Sequence, residues 1–299
     1  MLSINHYQGE LAALSAALAW AIASVLYTRL GRQLPPLGLN LAKNGIAIAF
    51  VAVLLLLRGE AAVGLNGGAL GLLVLSGAIG IGFGDTVFFE TLNCLGVRRA
   101  LLMEALAPPL TAVLAFVFLH EQLSWQSWLG ILLTVGGVTW VVVERVLDVV
   151  GSTFRPLRGI GFGLLAAIAQ ASGSVLSRAA LADTTVDPLW SSLIRLTTGL
   201  LVLVLWTAAQ PRLWREFKPL QSARFLLLLT GASFIGTFLA TWLQQTAIKH
   251  TAVGIAQSLS ATSPLFILPI ALLLGECISM RAVLGVLVAL MGIWLLFAQ

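Results

Sequence analysis

Five charged side chains interrupt stretches that are otherwise apolar. They are Lys43, Asp85, Glu90, Glu104 and Arg195. A charge in hydrocarbon costs about 2.5–3.5 kcal/mol on insertion scales, so such a group usually faces a cavity or an opposite charge. A carboxylate in that setting can bind a cationic group or carry a proton, which makes the three acids the first candidates for a binding site.

Glu104 has the most informative sequence context of the three acids. A proline pair begins four residues later at Pro108, and prolines free backbone carbonyls and bend helices. Glu104, Pro108 and Thr111 share one face of a helix because they are four and three residues apart. This arrangement favours a cavity-facing group for substrate or a proton. Pairing with Arg98 or Arg99, about one turn earlier, is an equally good explanation.

The other four charges have competing interpretations. Asp85 and Glu90 are candidates of the same kind as Glu104, and either of them also fits a position at the membrane surface. Lys43 and Arg195 could form an anion-binding pair. We favour a structural role for both cations, because long basic side chains near the start of a helix can reach the membrane–water interface or bind a neighbouring backbone carbonyl.

Uncharged polar residues recur at helical spacing in several apolar stretches. Trp20 and Ser24 are four residues apart, and so are Gln170 and Ser174. Such a face can line a wet cavity, although hydrogen bonds between helices are the alternative for any single serine or threonine. The predicted substrate-binding set is Trp20, Ser24, Asp85, Glu104, Gln170, Ser174, Thr241, Gln244 and Gln257.

The sequence lacks the signatures of catalysis, so we predict no catalytic residue, metal or cofactor. His120-Glu121 is followed by Ser124 where the metalloprotease motif needs a second histidine. The run from Gly80 to Gly84 resembles a nucleotide loop only superficially, and we interpret it as a site of close helix packing or a flexible hinge. We predict that the protein is not an enzyme. An intramembrane enzyme acting on a lipid or peptide is the alternative.

The composition defines the elements that must hold these residues. Of 299 residues, 59% are hydrophobic and 10% charged, whereas a soluble domain has about 25% charged residues. The charges divide the chain into ten apolar stretches of about 20 residues, the length that crosses a bilayer. We therefore predict an all-α polytopic membrane protein. The net charge of +5 fits loops rather than a nucleic-acid surface, and Cys94 and Cys277 indicate no disulfide framework.

The chain contains an internal duplication. The pattern Pro-x11-Glu-x8-Gly-x6-Gly occurs from Pro109 and again, 155 residues later, from Pro264. The predicted domains are residues 1–150 and 151–299, each with five helices. Because five is odd, the second repeat enters the membrane from the opposite side, as in the inverted repeats of secondary transporters. The duplicated helix ends contain two glutamates that we interpret as structural and two serines that fit N-caps: Glu121, Glu276, Ser124 and Ser279.

The sequence resembles the EamA branch of the drug/metabolite transporter superfamily over nearly its whole length. The matching features are Ala19-Trp20-Ala21, the proline-led second helix with Lys43, and Pro109 with the Leu119-His120-Glu121 helix end. The second copy has Leu274-Gly275-Glu276. The resemblance implies ten helices, of which helices 1, 3, 4, 6, 8 and 9 surround the cavity. It also implies export or exchange of small metabolites such as amino acids or amphipathic compounds.

The predicted function is therefore secondary transport by alternating access between two inverted repeats. The expected partners are a small-molecule substrate and the lipid bilayer, with a proton or another ion as the candidate coupling partner and no nucleic acid. Monomer and homodimer both fit the sequence. The expected location is the plasma (inner) membrane, which the chain crosses many times.

The charge distribution also predicts an orientation. The loops that would share the side opposite to both termini contain 12 basic residues, and those on the terminus side contain Arg58, Arg178 and Lys249. The positive-inside rule then places both termini outside the cytoplasm. The family resemblance implies the reverse, and we follow the charges. The 12 basic residues are Arg29, Arg32, Arg98, Arg99, Arg145, Arg155, Arg158, Arg212, Arg215, Lys218, Arg224 and Arg281.

Overall fold

The computed structural model describes most of the chain, and within this part all regular secondary structure is helical. The described residues are 7–31, 33–34, 36–59, 64–95, 97–145, 156–208, 222–273 and 280–298. The helices are α1 (Gln8–Leu30), α2 (Pro36–Arg58), α3 (Gly67–Ser76, continuing as Gly77–Gly84 and Asp85–Leu95), α4 (Val97–Glu104 and Ala107–Phe118), α5 (Trp125–Arg145), α6 (Pro156–Leu181), α7 (Pro188–Ala208), α8 (Ala223–Ser233, continuing as Phe234–Leu239 and Ala240–His250), α9 (Val253–Ser260 and Ser263–Leu273) and α10 (Met280–Phe297).

Nine helical stretches among the described residues are long and apolar enough to cross a membrane. The prediction of an all-α polytopic protein is thereby confirmed. The ninth predicted span corresponds to a shorter apolar helix, Val253–Pro269. Residues 274–279, which follow α9, lie outside the described part of the chain.

Along α1, small residues face the interior and large apolar residues face outward. Ala16, Ala17 and Ala21 of α1 are fully buried, whereas Leu11 and Leu18 of the same helix are about two-fifths exposed. Lipid solvates leucine as well as a protein core does, so helices in a bilayer gain most from close packing of small side chains. The alanine face of α1 is therefore its packing face.

Two helices contain a π-helical segment, Gly77–Gly84 in α3 and Phe234–Leu239 in α8. Glycines let the α3 segment approach its neighbours closely. A Cβ atom on Gly77 would lie 2.5 Å from the carbonyl oxygen of Arg195, and one on Gly82 would lie 2.6 Å from Cβ of Val202. Both neighbours belong to α7, so the predicted close helix packing of this glycine run is confirmed.

The helices α4 and α9 are each broken once. The break in α4 falls at residues 105–106, directly before Ala107-Pro108-Pro109, and that in α9 falls at 261–262, before Ser263-Pro264. Proline suits the first turn of a new helix because its missing N–H would have no partner there. The duplicated prolines thus begin the second half of each broken helix.

The two halves of the chain interleave. Helix α1 packs along α8, and in the same way α6 packs along α3. In addition, α2 packs along α7, and α5 packs along α10. The ring centroids of Tyr7 and Phe297 lie 5.5 Å apart, so the start of α1 and the end of α10 meet at one end of the bundle. We call this end the terminus face and the other end the opposite face.

Candidate functional site

A small cavity of about 40 Å³ lies between α3, α4 and α6. Its polar lining consists of Asp85, Glu104 and Gln170, all of which belong to the predicted substrate-binding set. The remaining lining is apolar or small, so the three polar groups dominate what the cavity can recognise. The full lining is Gly84, Asp85, Phe88, Glu104, Ala166, Ala167 and Gln170.

Irregular backbone positions the two acids. Asp85 directly follows the π-helical segment of α3, and Glu104 is the last residue before the break in α4. Non-helical or loosened backbone at membrane depth is tolerated where it is buried in protein or lines a cavity. Gln170 comes from the regular middle of α6, which completes the cavity from the second half of the chain.

Polar groups of α2 and α7 surround Asp85. The side-chain amide of Asn40 donates a hydrogen bond to Oδ2 of Asp85 at 3.2 Å, and Asn44 donates to Asn40 at 3.2 Å. The charges of Lys43 and Arg195 also act on this carboxylate. Asp85 therefore has compensating positive charge close by.

Glu104 has a different environment. Its side chain is exposed at the protein surface and lines the cavity, and the neighbouring charge that acts on it within the described structure is that of Asp85. Two carboxylates on one cavity repel each other, and a cation or proton between them relieves that repulsion. The cavity is therefore suited to a positively charged group at Glu104.

Lys43 and Arg195 do not line the cavity. The Lys43 ammonium lies 5.9 Å from the ring centroid of Tyr27. Arg195 is 3% exposed, and its Nε has no hydrogen-bond partner among the described residues. Since both charges act on Asp85, this arrangement is compatible with the structural role that the sequence favours, and that role stays a prediction.

Three residues of the predicted set bond to each other instead of lining the cavity. The amide nitrogen of Gln257 donates to the hydroxyl oxygen of Ser174, and that of Gln244 donates to Oε1 of Gln257 at 3.4 Å. All three side chains are buried. Hydrogen bonding between helices, the alternative that the sequence left open, therefore describes them in this conformer.

The rest of the predicted set lies on α1 and α8. The Ser24 hydroxyl donates to the carbonyl of Ala21 at 2.7 Å, Trp20 is partly buried, and Thr241 is buried. None of the three lines the cavity. Glu90 is exposed on α3 and is not in the lining.

Two residues near the acids were missed by sequence reasoning. Phe88 supplies an aromatic wall to the cavity, and the side-chain amide of Asn40 donates a hydrogen bond to Asp85. Their spacing carries a signal, because Phe88 follows Asp85 by three residues and Asn40 precedes Lys43 by three. One helical turn from an intramembrane charge is where its partners should be sought.

Other sequence predictions have mixed outcomes. The Ser127 N–H donates to Oγ of Ser124 at 3.1 Å, so the predicted N-cap of α5 is confirmed.

Cys94 is a free, buried thiol, and no group of three metal-ligating residues occurs in the described ranges. The side chains of Arg98, Arg99 and Arg145 are outside the description, as are Arg32, Arg155, Arg212, Arg215, Lys218, Leu274, Gly275, Glu276, Cys277 and Ser279.

Comparison with known proteins gives a family and a fold. The sequence model of the EamA-like transporter family matches residues 7–143 and, a second time, residues 157–298. A search of curated proteins found no match. A solved structure described only as "Crystal structure of protein" is similar to this chain at a TM-score of 0.78 and 19% identity, covering 96% of this chain and 95% of the other. That likeness concerns the fold alone.

Proposed function

Since the chain belongs to the EamA-like transporter family and contains two EamA repeats, we propose that it is a secondary transporter of a small metabolite. The proposed mechanism is alternating access between the repeats in the plasma (inner) membrane. The observation that carries this proposal is the origin of the cavity lining. Asp85 and Glu104 come from the first repeat and Gln170 from the second. Substrate sites of secondary transporters lie at such an interface between repeats.

The proposed architecture has ten spans in two inverted repeats of five. Correspondences along the chain support it, because α3 and α8 share a π-helical segment and α4 and α9 share a break. The packing supports it as well. The contacts of α1 with α8 and α9 have counterparts in those of α6 with α3 and α4. A two-fold axis in the membrane plane would produce this exchange.

The proposed substrate carries a positive charge, either as part of a zwitterion such as an amino acid or in an amphipathic amine. Glu104 would bind that cationic group, or a proton that exchanges with it. Asp85 is the weaker candidate because Asn40, Lys43 and Arg195 already compensate it. The cavity of about 40 Å³ is smaller than a typical ligand site, so binding of a metabolite requires it to widen during the transport cycle.

Purified protein in proteoliposomes tests the proposal. The vesicles are incubated with a pooled mixture of amino acids and amines, and the retained compounds are identified by mass spectrometry. We expect at least one amine-bearing compound to enter faster than it enters protein-free vesicles. Uptake no faster than in protein-free vesicles for every compound would contradict the proposal. No observation on the described residues favours an intramembrane enzyme.

A further inference from the structure

An ion pair at the terminus face connects the two repeats. Nε of Arg178, near the end of α6, donates to Oε1 of Glu121 at 2.6 Å. The same guanidinium donates through Nη1 to the carbonyl oxygens of Ile248 and Lys249, both at 2.7 Å. The second carboxylate oxygen of Glu121 accepts from the N–H of Val253 at 3.1 Å. We call these five residues the latch.

The latch joins elements that must separate if the cavity is to open at this face. Glu121 lies between α4 and α5 of the first repeat, whereas Arg178, the end of α8 and the start of α9 belong to the second. A further contact ties α1 to the same place, because the hydroxyl of Thr251 donates to Oε1 of Glu10 at 2.7 Å. Charge-assisted hydrogen bonds of this geometry are about twice as strong as neutral ones.

Two buried polar layers continue inward from the latch along α6. In the first, the hydroxyls of Ser177 and Ser191 both donate to Oε1 of Gln245, and all three side chains are fully buried. The second layer is the hydrogen-bonded group of Ser174, Gln244 and Gln257 described above. Both layers tie α6 to its neighbours in the second repeat.

The cavity begins where these layers end. Gln170 lines the cavity and Arg178 belongs to the latch, and eight residues of helix separate the two by about 12 Å. The rest of the lining comes from the late part of α3, the early part of α4, and Ala166 and Ala167 of α6, which precede Gln170 on the side toward the opposite face. Packed polar layers therefore occupy the route from the terminus face, whereas the cavity is displaced toward the opposite face.

We propose that Arg178 and Glu121 form the gate that closes the cavity from the terminus face, and that this structure is the conformer closed on that face. The proposal rests on the alternating-access function proposed above. Opening this face would require the Arg178 guanidinium and the Val253 N–H to leave Glu121 together, whereas the bonds of Arg178 to α8 lie within the second repeat. The gate thereby makes access from the terminus face an all-or-none event.

Labelling of a single cysteine from each face tests the gate without any substrate. Cys94 and Cys277 are replaced by serine, and Ala166→Cys places the reporter in the cavity wall. In vesicles of known orientation, we expect a membrane-impermeant maleimide to label this reporter from the opposite face. Arg178→Gln should raise its labelling from the terminus face about tenfold or more, because it removes hydrogen bonds that involve charged groups.

Arg158→Gln is the matched control. Arg158 is on the same helix at the opposite face, where its guanidinium lies 5.3 Å from the ring centroid of Phe162. This change removes the same charge from the same helix but should leave labelling from the terminus face unchanged. A rise equal to that of Arg178→Gln would mean that any loss of charge loosens the bundle, which would overturn the gate.

Arg178→Lys keeps the experiment decisive if Arg178→Gln does not fold. Lysine keeps the charge but not the fork that holds Glu121 and two carbonyls together, so an intermediate labelling rate is expected. If folded Arg178→Lys and Glu121→Gln proteins both label at the parental rate from the terminus face, the gate proposal is wrong. Altered labelling without transport of any compound would instead leave the gate standing and contradict the proposed function.

Discussion

Two carboxylates line the cavity, and their neighbours give them different roles. Asp85 accepts a hydrogen bond from Asn40 and lies under the influence of two cations, whereas Glu104 lies beside another acid. Removing a carboxylate that compensates buried cations is costly because it leaves their charge unpaired, whereas a carboxylate without such partners is available to an incoming cation. The two acids therefore lead to separate predictions.

Replacing Glu104 by glutamine should abolish most transport without preventing folding. The change keeps the side-chain shape but removes the charge that we assign to cation or proton binding. A hydrogen bond to a charged group contributes about 1.5–3 kcal/mol, so uptake of the identified compound should fall about tenfold or more. Glu90→Gln is the control, since Glu90 is exposed and outside the cavity lining. Equal uptake by the two variants would remove Glu104 from the mechanism.

Asp85 and Arg195 should be energetically coupled. Asp85→Asn leaves buried positive charge without compensation, and we expect it to cost about 3 kcal/mol in the free energy of unfolding, as does Arg195→Gln. The double variant should lose clearly less than the sum, because it removes both charges. Thermal unfolding of the four proteins in detergent measures the cycle. Strictly additive losses would mean that the two charges do not stabilise each other.

At the scale of the helices, the glycines of α3 are not equivalent. A Cβ atom on Gly77 would lie 2.5 Å from the backbone oxygen of Arg195, which cannot move aside, whereas one on Gly71 of the same helix would meet nothing within 4 Å. Gly77→Ala should therefore destabilise the protein by about 1–3 kcal/mol through overpacking. Gly71→Ala should be neutral or slightly stabilising, since alanine favours helices. Similar unfolding temperatures for both variants would contradict the packing of α3 against α7.

Sequence patterns predicted the helices well and their irregularities unevenly. The intervals between charges located the spans, and the proline pair at Pro108 predicted a bend in α4, where the structure has a break, because charge and proline act through local energetics. The break in α9 before Pro264 was not predicted. The π-helical segments of α3 and α8 were not predicted. They depend on a change from one backbone hydrogen-bond register to another, which tertiary packing decides.

The candidate site was predicted only as far as single helices allow. The free-energy cost of a charge inside the membrane singled out Asp85 and Glu104, and the size of its side chain singled out Gln170. These three residues line one cavity. Ser174 and Gln257 had the same helical spacing signal, yet they bond to each other. A face of one helix cannot distinguish a cavity from a neighbouring helix, because that distinction depends on which helices meet.

At the scale of the whole molecule, the distribution of charge along the sequence predicts an orientation in the membrane. The loops predicted on the side opposite to both termini contain 12 of the 17 basic residues, so the positive-inside rule predicts that side in the cytoplasm and both termini outside. In that orientation the conformer described here is closed to the outside. A C-terminal reporter that is active only outside the cytoplasm should give a signal. Activity of a cytoplasmic reporter at the same position would show that the family topology outweighs the charge bias.

The repeats should superpose as rigid units. We expect helices α1–α5 to match α6–α10 after a rotation about an axis in the membrane plane, which an experimental structure would measure directly. Parallel repeats would contradict the duplication argument, because five spans per repeat require inversion.

Counterflow in proteoliposomes tests alternating access most directly. Vesicles loaded with a high concentration of the identified compound are diluted into a trace of its labelled form, and the label inside is followed with time. A transporter that exposes its cavity to one face at a time should accumulate label transiently above equilibrium, because each inward passage of label is driven by outward passage of unlabelled compound. Label that only approaches equilibrium, as through a channel, or that appears as a chemically altered product, would contradict the proposed mechanism.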